Sequence, residues 1–215
     1  GTDGFHVQTA RGVFHSASLV IATGGLSIPS MGASGFGYEV ARRFGHELLP
    51  TRAGLVPLTL SGKHQERFAE LSGVALPVEA HCNGQSFRNS MLITHRGVSG
   101  PAILQISSFW QPGDDLRLDL LPGLDAGEWL QRMKRERSAA ELRTVLSEVI
   151  PRRLALRLCE QWLGDKPVRQ LDERQIKAAA ELLSGFPLVA SGTEGYRTAE
   201  VTLGGVDTRK VSSST

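Results

Sequence analysis

Two short apolar runs, each ending in a pair of glycines, stand near opposite ends of this sequence. They are Leu19-Val20-Ile21-Ala22-Thr23-Gly24-Gly25 and Val201-Thr202-Leu203-Gly204-Gly205-Val206. An unbroken run such as Leu19 to Ala22 suits a strand covered on both faces, as in a parallel sheet. Paired glycines at its end let a ligand or another stretch of chain approach the backbone, and ligands of open α/β sheets lie at the carboxyl ends of strands. A tight exit turn needs the same residues, so each run alone leaves both readings open. Because the two runs bracket nearly everything else, the order implies an α/β unit interrupted by one long insertion.

The pattern along the chain divides accordingly. Residues 5–8 and 12–15 read as two short strands, and a helix with Val40, Ala41 and Phe44 on one face follows a glycine-containing loop and ends at Gly45. From about Leu55 to Leu121 the chain is a succession of short strands at 56–60, 74–80, 90–94 and 115–120, with Asn83-Gly84 as a hairpin turn. Helices are expected at about 64–71 and after Pro101. This stretch reads as a small antiparallel barrel or sandwich. From Asp125 to Gly185 the period is helical. Leu142, Val145, Leu146, Val149 and Ile150 form one stripe, Leu154, Leu158 and Trp162 a second, and Ile176, Ala179, Ala180 and Leu183 a third. Asp172 and Gln175 make a capping pair, and Trp129 and Trp162 belong to the core. The domain reading is 1–53 for part of an α/β domain, 54–122 for the barrel and 123–190 for the helical part of the insertion, and 191–215 for the return strand.

Composition narrows the function. With 40% hydrophobic and 21% charged residues, the chain is neither disordered, collagen-like nor a disulfide mini-protein. A net charge of +2 over 215 residues gives no clustered basic face, and the richest basic stretch, Arg132 to Arg137, includes Glu136. No nucleic-acid partner is therefore expected. No run reaches the ~18–20 apolar residues of a membrane span, so no membrane partner is expected either. Cys82 and Cys159 lie far apart and in no CxxC spacing, which argues against zinc and suits a reducing cytoplasm. His6, His15, His46, His64 and His81 show no H-x-x-x-H spacing, so no metal site is expected.

The segment with the most chemistry is Thr94-His95-Arg96-Gly97-Val98-Ser99-Gly100-Pro101. A Gly/Ser loop followed by proline at a helix start leaves backbone N–H groups free toward an anion or a developing oxyanion. His95 is the residue best placed for proton transfer, with Ser99 beside it as the second catalytic candidate. A helix cap with a surface histidine is the plainer reading. A serine-hydrolase elbow is disfavoured, because Pro101 stands where G-x-S-x-G needs its second glycine.

Together these motifs resemble the BaiN/YhiN family of FAD-dependent oxidoreductases, the HI0933-like flavoproteins. Leu19 to Gly25 looks like the family's ATGG strand, and Ser27 to Gly32, Gly35-Phe36-Gly37-Tyr38, Gly45-His46 and Pro50 to Leu58 look like the segment after it. Met91 to Ile106 is similar to its TH-x-G-x-SGP signature, and Ala199 to Val206 to its VT-x-GGV signature. The resemblance implies remnants of a glutathione-reductase-like FAD-binding domain, interrupted by an inserted β-barrel and helical subdomain. It implies an FAD near Ala22, Thr23, Gly24, Gly25, Gly204, Gly205 and Val206, with Thr94, Gly97 and Gly100 toward the substrate and His95 and Ser99 catalytic. The reaction implied is hydride transfer from NAD(P)H through FAD to a small organic acceptor such as an activated C=C bond. Members open with a G-x-G-x-x-G unit for the FAD pyrophosphate and close with a section that holds the flavin. This sequence has neither. It therefore reads as an internal piece of a protein of roughly 400 residues, inactive by itself and partnered by the rest of its FAD-binding domain. The rival reading is a substrate- or partner-recognition module that folds alone, and a flavoprotein acting on tRNA is a more distant one.

Overall fold

The computed structural model describes residues 4–212. The first elements are the hairpin strands β1 (Phe5–Thr9) and β2 (Gly12–Ser16), which pair with no further strand among the described residues. Helix α1 (Phe36–Arg43) follows, and Gly45 leaves it with a φ of 80°. Strand β3 (Leu48–Gly54) leads into β4 (Leu58–Thr59), α2 (Gly62–Phe68) and the long hairpin β5 (Ala75–Cys82) and β6 (Gln85–Ile93). Asn83 and Gly84 take φ values of 50° and 74°, the pair of left-handed residues that a type I′ turn requires. Then come β7 (Gly97–Ser99), α3 (Pro101–Ser107) and β8 (Arg117–Asp119). The helical part holds α4 (Ala126–Glu136), α5 (Leu142–Leu146), α6 (Arg152–Leu158) and α7 (Glu173–Ser184). Strands β9 (Phe186–Pro187), β10 (Gly192–Thr193) and β11 (Val201–Val206) follow.

Seven strands form one antiparallel sheet in the order β10-β4-β7-β6-β5-β8-β9. A flat sheet of seven strands would hold its edges about 29 Å apart at ~4.8 Å per strand. The outer strands β9 and β10 are joined by residues 188–191 alone, a link that spans about 18 Å even when fully extended. The sheet must therefore curl, and its inward side chains Leu58, Val78, Ala80, Met91, Ile93, Val98 and Leu118 are buried with Ala102, Ile103 and Ile106 of α3.

The helical part shares that core. Trp129, Leu130, Val145, Leu146, Leu154, Leu158, Ile176 and Leu183 belong to the same buried cluster. Phe186 joins the two halves, meeting Phe68 and Trp162 edge to face at ring separations of 6.0 and 5.3 Å. Asp125 caps α4 by accepting from the Glu128 N–H at 2.8 Å. Asp172 and Gln175 form a reciprocal capping box on α7, as their spacing predicts.

Three expectations need correction. Leu19 to Ala22 forms no strand, and Val20 is 83% exposed. A strand must pair its backbone N–H and C=O groups with a neighbour, and among the described residues no strand pairs with this run. The second glycine run does form a strand, but β11 pairs antiparallel with β3, and every pairing among the described residues is antiparallel. In the first helical stripe Val149 is exposed, because α5 ends at Leu146 before the stripe is complete.

Candidate functional site

The two glycine turns meet. The Thr202 hydroxyl of β11 accepts from the Leu26 N–H at 2.9 Å and the Ser27 N–H at 3.2 Å, and lies 3.1 Å from the Ser27 hydroxyl. Gly25 packs so closely that a Cβ there would stand 2.7 Å from Thr202 Oγ1 and 3.1 Å from the Tyr38 hydroxyl. On the other strand, a Cβ on Gly205 would stand 3.1 Å from the Tyr38 ring. Gly204 sits at a bulge with a φ of 81°, where a Cβ would come within 2.2 Å of the Pro50 carbonyl oxygen. These three glycines thus let the chain pack on itself.

Gly24 differs. Its φ is 72°, and the space where a side chain would stand is open. It lines a cleft of about 430 Å³ with Ala22, Thr23, Tyr38, Phe44, His46 and Val206. The walls are apolar with a few polar groups, the usual make-up of a small-molecule site. Of the residues the resemblance assigned to the cofactor, Ala22, Thr23, Gly24 and Val206 face this cleft, while Gly25, Gly204 and Gly205 form the seam behind it. Tyr38, Phe44 and His46 were not anticipated. The sequence places Phe44 on the apolar face of a helix, and Tyr38 and His46 in segments that resemble the family, without marking any of them as a site residue.

The 94–100 loop lies elsewhere, on the barrel, and none of its residues lines the cleft. The Thr94 hydroxyl accepts from the N–H groups of Arg96 and Gly97 at 3.3 and 3.1 Å, so it closes the turn. A Cβ on Gly97 would stand 2.2 Å from the Leu58 carbonyl oxygen, and one on Gly100 2.8 Å from that of Ser90. Those glycines permit β7 and the start of α3 to lie against their neighbours. Ser99 pairs with Leu92 in the sheet and is half-buried, whereas His95 and Arg96 are exposed.

Cys82 and Cys159 are free thiols. Both are buried. Burial, with the nearby Asp165 carboxylate second, pushes the Cys159 thiol up to about 12, and burial with Asp114 and Asp115 also raises Cys82. Among the described residues no three His, Cys, Asp or Glu side chains gather as a metal site, and no helix is long and apolar enough to cross a membrane.

A curled antiparallel barrel, fused through one core to a capped helical bundle and flanked by a glycine seam, defines the class. Residues 52–201 match the family described as HI0933-like protein barrel and H2TH domain, and the chain belongs to that family. It is 50% identical over 201 residues to the ribosomal RNA dihydrouridine synthase of Escherichia coli (strain K12), covering 92% of this chain and 50% of that protein. It is 41% identical over 215 residues to the protein of the same name from Haemophilus influenzae, covering 98% and 53%. A more distant relative, at 28% identity over 224 residues, is the 3-dehydro-bile acid delta(4,6)-reductase of Clostridium scindens, covering 97% and 54%. The chain spans about half the length of the curated relatives it matches. Those relatives are named as enzymes of oxidoreductase type.

Proposed function

We propose that this chain is the barrel, helical part and one cleft wall of a flavin-dependent reductase that adds hydrogen across the C=C bond of a uridine in ribosomal RNA. FAD, when bound, would carry hydride from NAD(P)H to the ring. The residues present fit part of that group. The open backbone at Gly24, with Ala22, Thr23, Tyr38 and Val206, suits a flat ring against a cleft wall. No segment of this chain fits the pyrophosphate, which lacks a G-x-G-x-x-G cradle here.

The observation that carries the RNA reading is the exposure of the signature loop. His95 stands on the barrel surface rather than in a closed pocket, which favours a polymer whose base is presented from outside. Arg96 beside it is exposed and has no ion pair among the described residues, as a phosphate contact would be. This reading takes RNA in place of the small organic acceptor that the resemblance implied, and against the charge-based expectation of no nucleic-acid partner, because the relatives at 50% and 41% identity both carry an RNA substrate in their names. In it, His95 delivers the proton to one ring carbon while hydride reaches the other, and Ser99 orients the base.

The test uses the full-length protein with NAD(P)H and ribosomal RNA from a strain lacking its gene. Mass spectrometry should find one uridine that has gained H₂. NAD(P)H oxidation with a steroid enone but not with RNA would support the small-molecule reading instead. Tight binding of uridine-containing RNA by this chain without flavin would favour the recognition module.

A further inference from the structure

The β1–β2 hairpin places His6 directly opposite His15. Its loop has two residues, so Thr9 and Gly12 close it as a hydrogen-bonded pair. Alternation from that point makes His6 and His15 a non-hydrogen-bonded pair, the kind whose side chains come closest. Their ring centroids are 4.2 Å apart, with planes at 72°. Phe5 lines the cleft, so its neighbour His6, and His15 with it, present the opposite face of the hairpin. Both imidazoles are exposed and neither has an ion pair or hydrogen bond among the described residues. Rotation about χ2 can therefore turn a nitrogen of each ring toward one point in solvent.

We propose that His6 and His15 form a two-point chelate for a borderline transition-metal dication such as Zn²⁺ or Ni²⁺, with water completing its coordination. Imidazole is the ligand these ions prefer, bound through a neutral nitrogen. An isolated two-stranded hairpin is marginal in water, and this one pairs with no third strand among the described residues. A metal held by one ligand from each strand would fasten it in register. The site is separate from the cleft and needs no other histidine.

Titration of the chain with Zn²⁺, followed by calorimetry and by the imidazole resonances, tests this. One equivalent should bind, moving the His6 and His15 signals together and leaving those of His46, His64, His81 and His95 in place. Loss of the chelate in His15→Gln or His6→Gln should weaken binding at least about tenfold. His15→Cys restores a ligand and should bind, which separates ligand loss from an unfolded hairpin. The proposal fails if no saturable binding appears at millimolar Zn²⁺, if His15→Gln binds as the parent does, if His15→Cys fails to bind, or if the shifts fall on other histidines.

Discussion

The Thr202 hydroxyl accepts the Leu26 backbone N–H at 2.9 Å, tying together segments 176 residues apart. Because the Ser27 N–H shares the same oxygen, one side chain fixes the exit of the Leu19–Gly25 run against β11. Thr202→Val should cost about 1–2 kcal/mol of stability, from the lost bonds to two amides. Thr202→Ser keeps the oxygen and should recover most of that in urea melts. Equal stabilities for the two variants would show that the seam does not depend on this hydroxyl.

Gly204 and Gly113 offer a matched comparison. Both have positive φ, at 81° and 99°, but a Cβ at 204 would meet the Pro50 carbonyl at 2.2 Å and one at 113 would meet nothing. Gly113→Ala should cost about 1–2 kcal/mol, the penalty of left-handed backbone. Gly204→Ala should cost more than about 3 kcal/mol, since the β3–β11 pairing must also yield. Thermal unfolding of the two variants measures the difference.

His95 and Arg96 separate chemistry from binding. Both are exposed, so substitution should leave the melting temperature of this chain unchanged. In the full-length protein His95→Ala should lower kcat for RNA with little change in KM or flavin content. Arg96→Gln should raise KM and reduce the salt slope of RNA binding by about 1, the signature of one lost phosphate contact. An Arg96→Gln protein with an unchanged salt slope would remove this loop from the RNA interface.

Cys159 should resist alkylation. With its thiol pushed up to about 12 by burial, almost no thiolate exists at pH 8, and the thiolate is the reactive form. Iodoacetamide should label Cys159 only after denaturation. Rapid labelling of the native chain, read by mass spectrometry, would show that the helical part opens locally.

Asp207 gives a pH dependence. Its carboxylate accepts from the Arg209 guanidinium at 2.5 and 3.0 Å and from the Arg209 N–H at 3.1 Å, and these bonds hold its pKa below the ordinary carboxylate value. A folded pKa below the unfolded one means that the contribution is complete above about pH 4 and is lost as pH falls through the depressed value. Asp207→Asn should flatten that acid limb in urea midpoints taken across this range, and an unaltered limb would assign it to other carboxylates.

Much of the fold was legible locally. The Asn83-Gly84 turn, the Asp172/Gln175 box and the alternation around Leu118 each depend on residues a few positions apart, and each formed. The conformation of the Leu19–Ala22 run was not legible, because an apolar run states only that it needs cover, not which neighbour supplies the hydrogen bonds. The cleft was half legible. Gly24 and Val206 stood in recognisable motifs, but Tyr38 joined them only because α1 folds back onto both glycine turns.

The sequence by itself determined most of the element types, the turns and the caps, because those follow from backbone sterics and short-range periodicity. The tertiary structure alone decided what each glycine is for. Gly25, Gly204, Gly205, Gly97 and Gly100 admit neighbouring chain, and Gly24 faces open space, a distinction set by contacts between segments far apart in sequence. It also decided that His95 stands on the surface and that His6 meets His15, because the register of paired strands, rather than spacing along the chain, brings such side chains together.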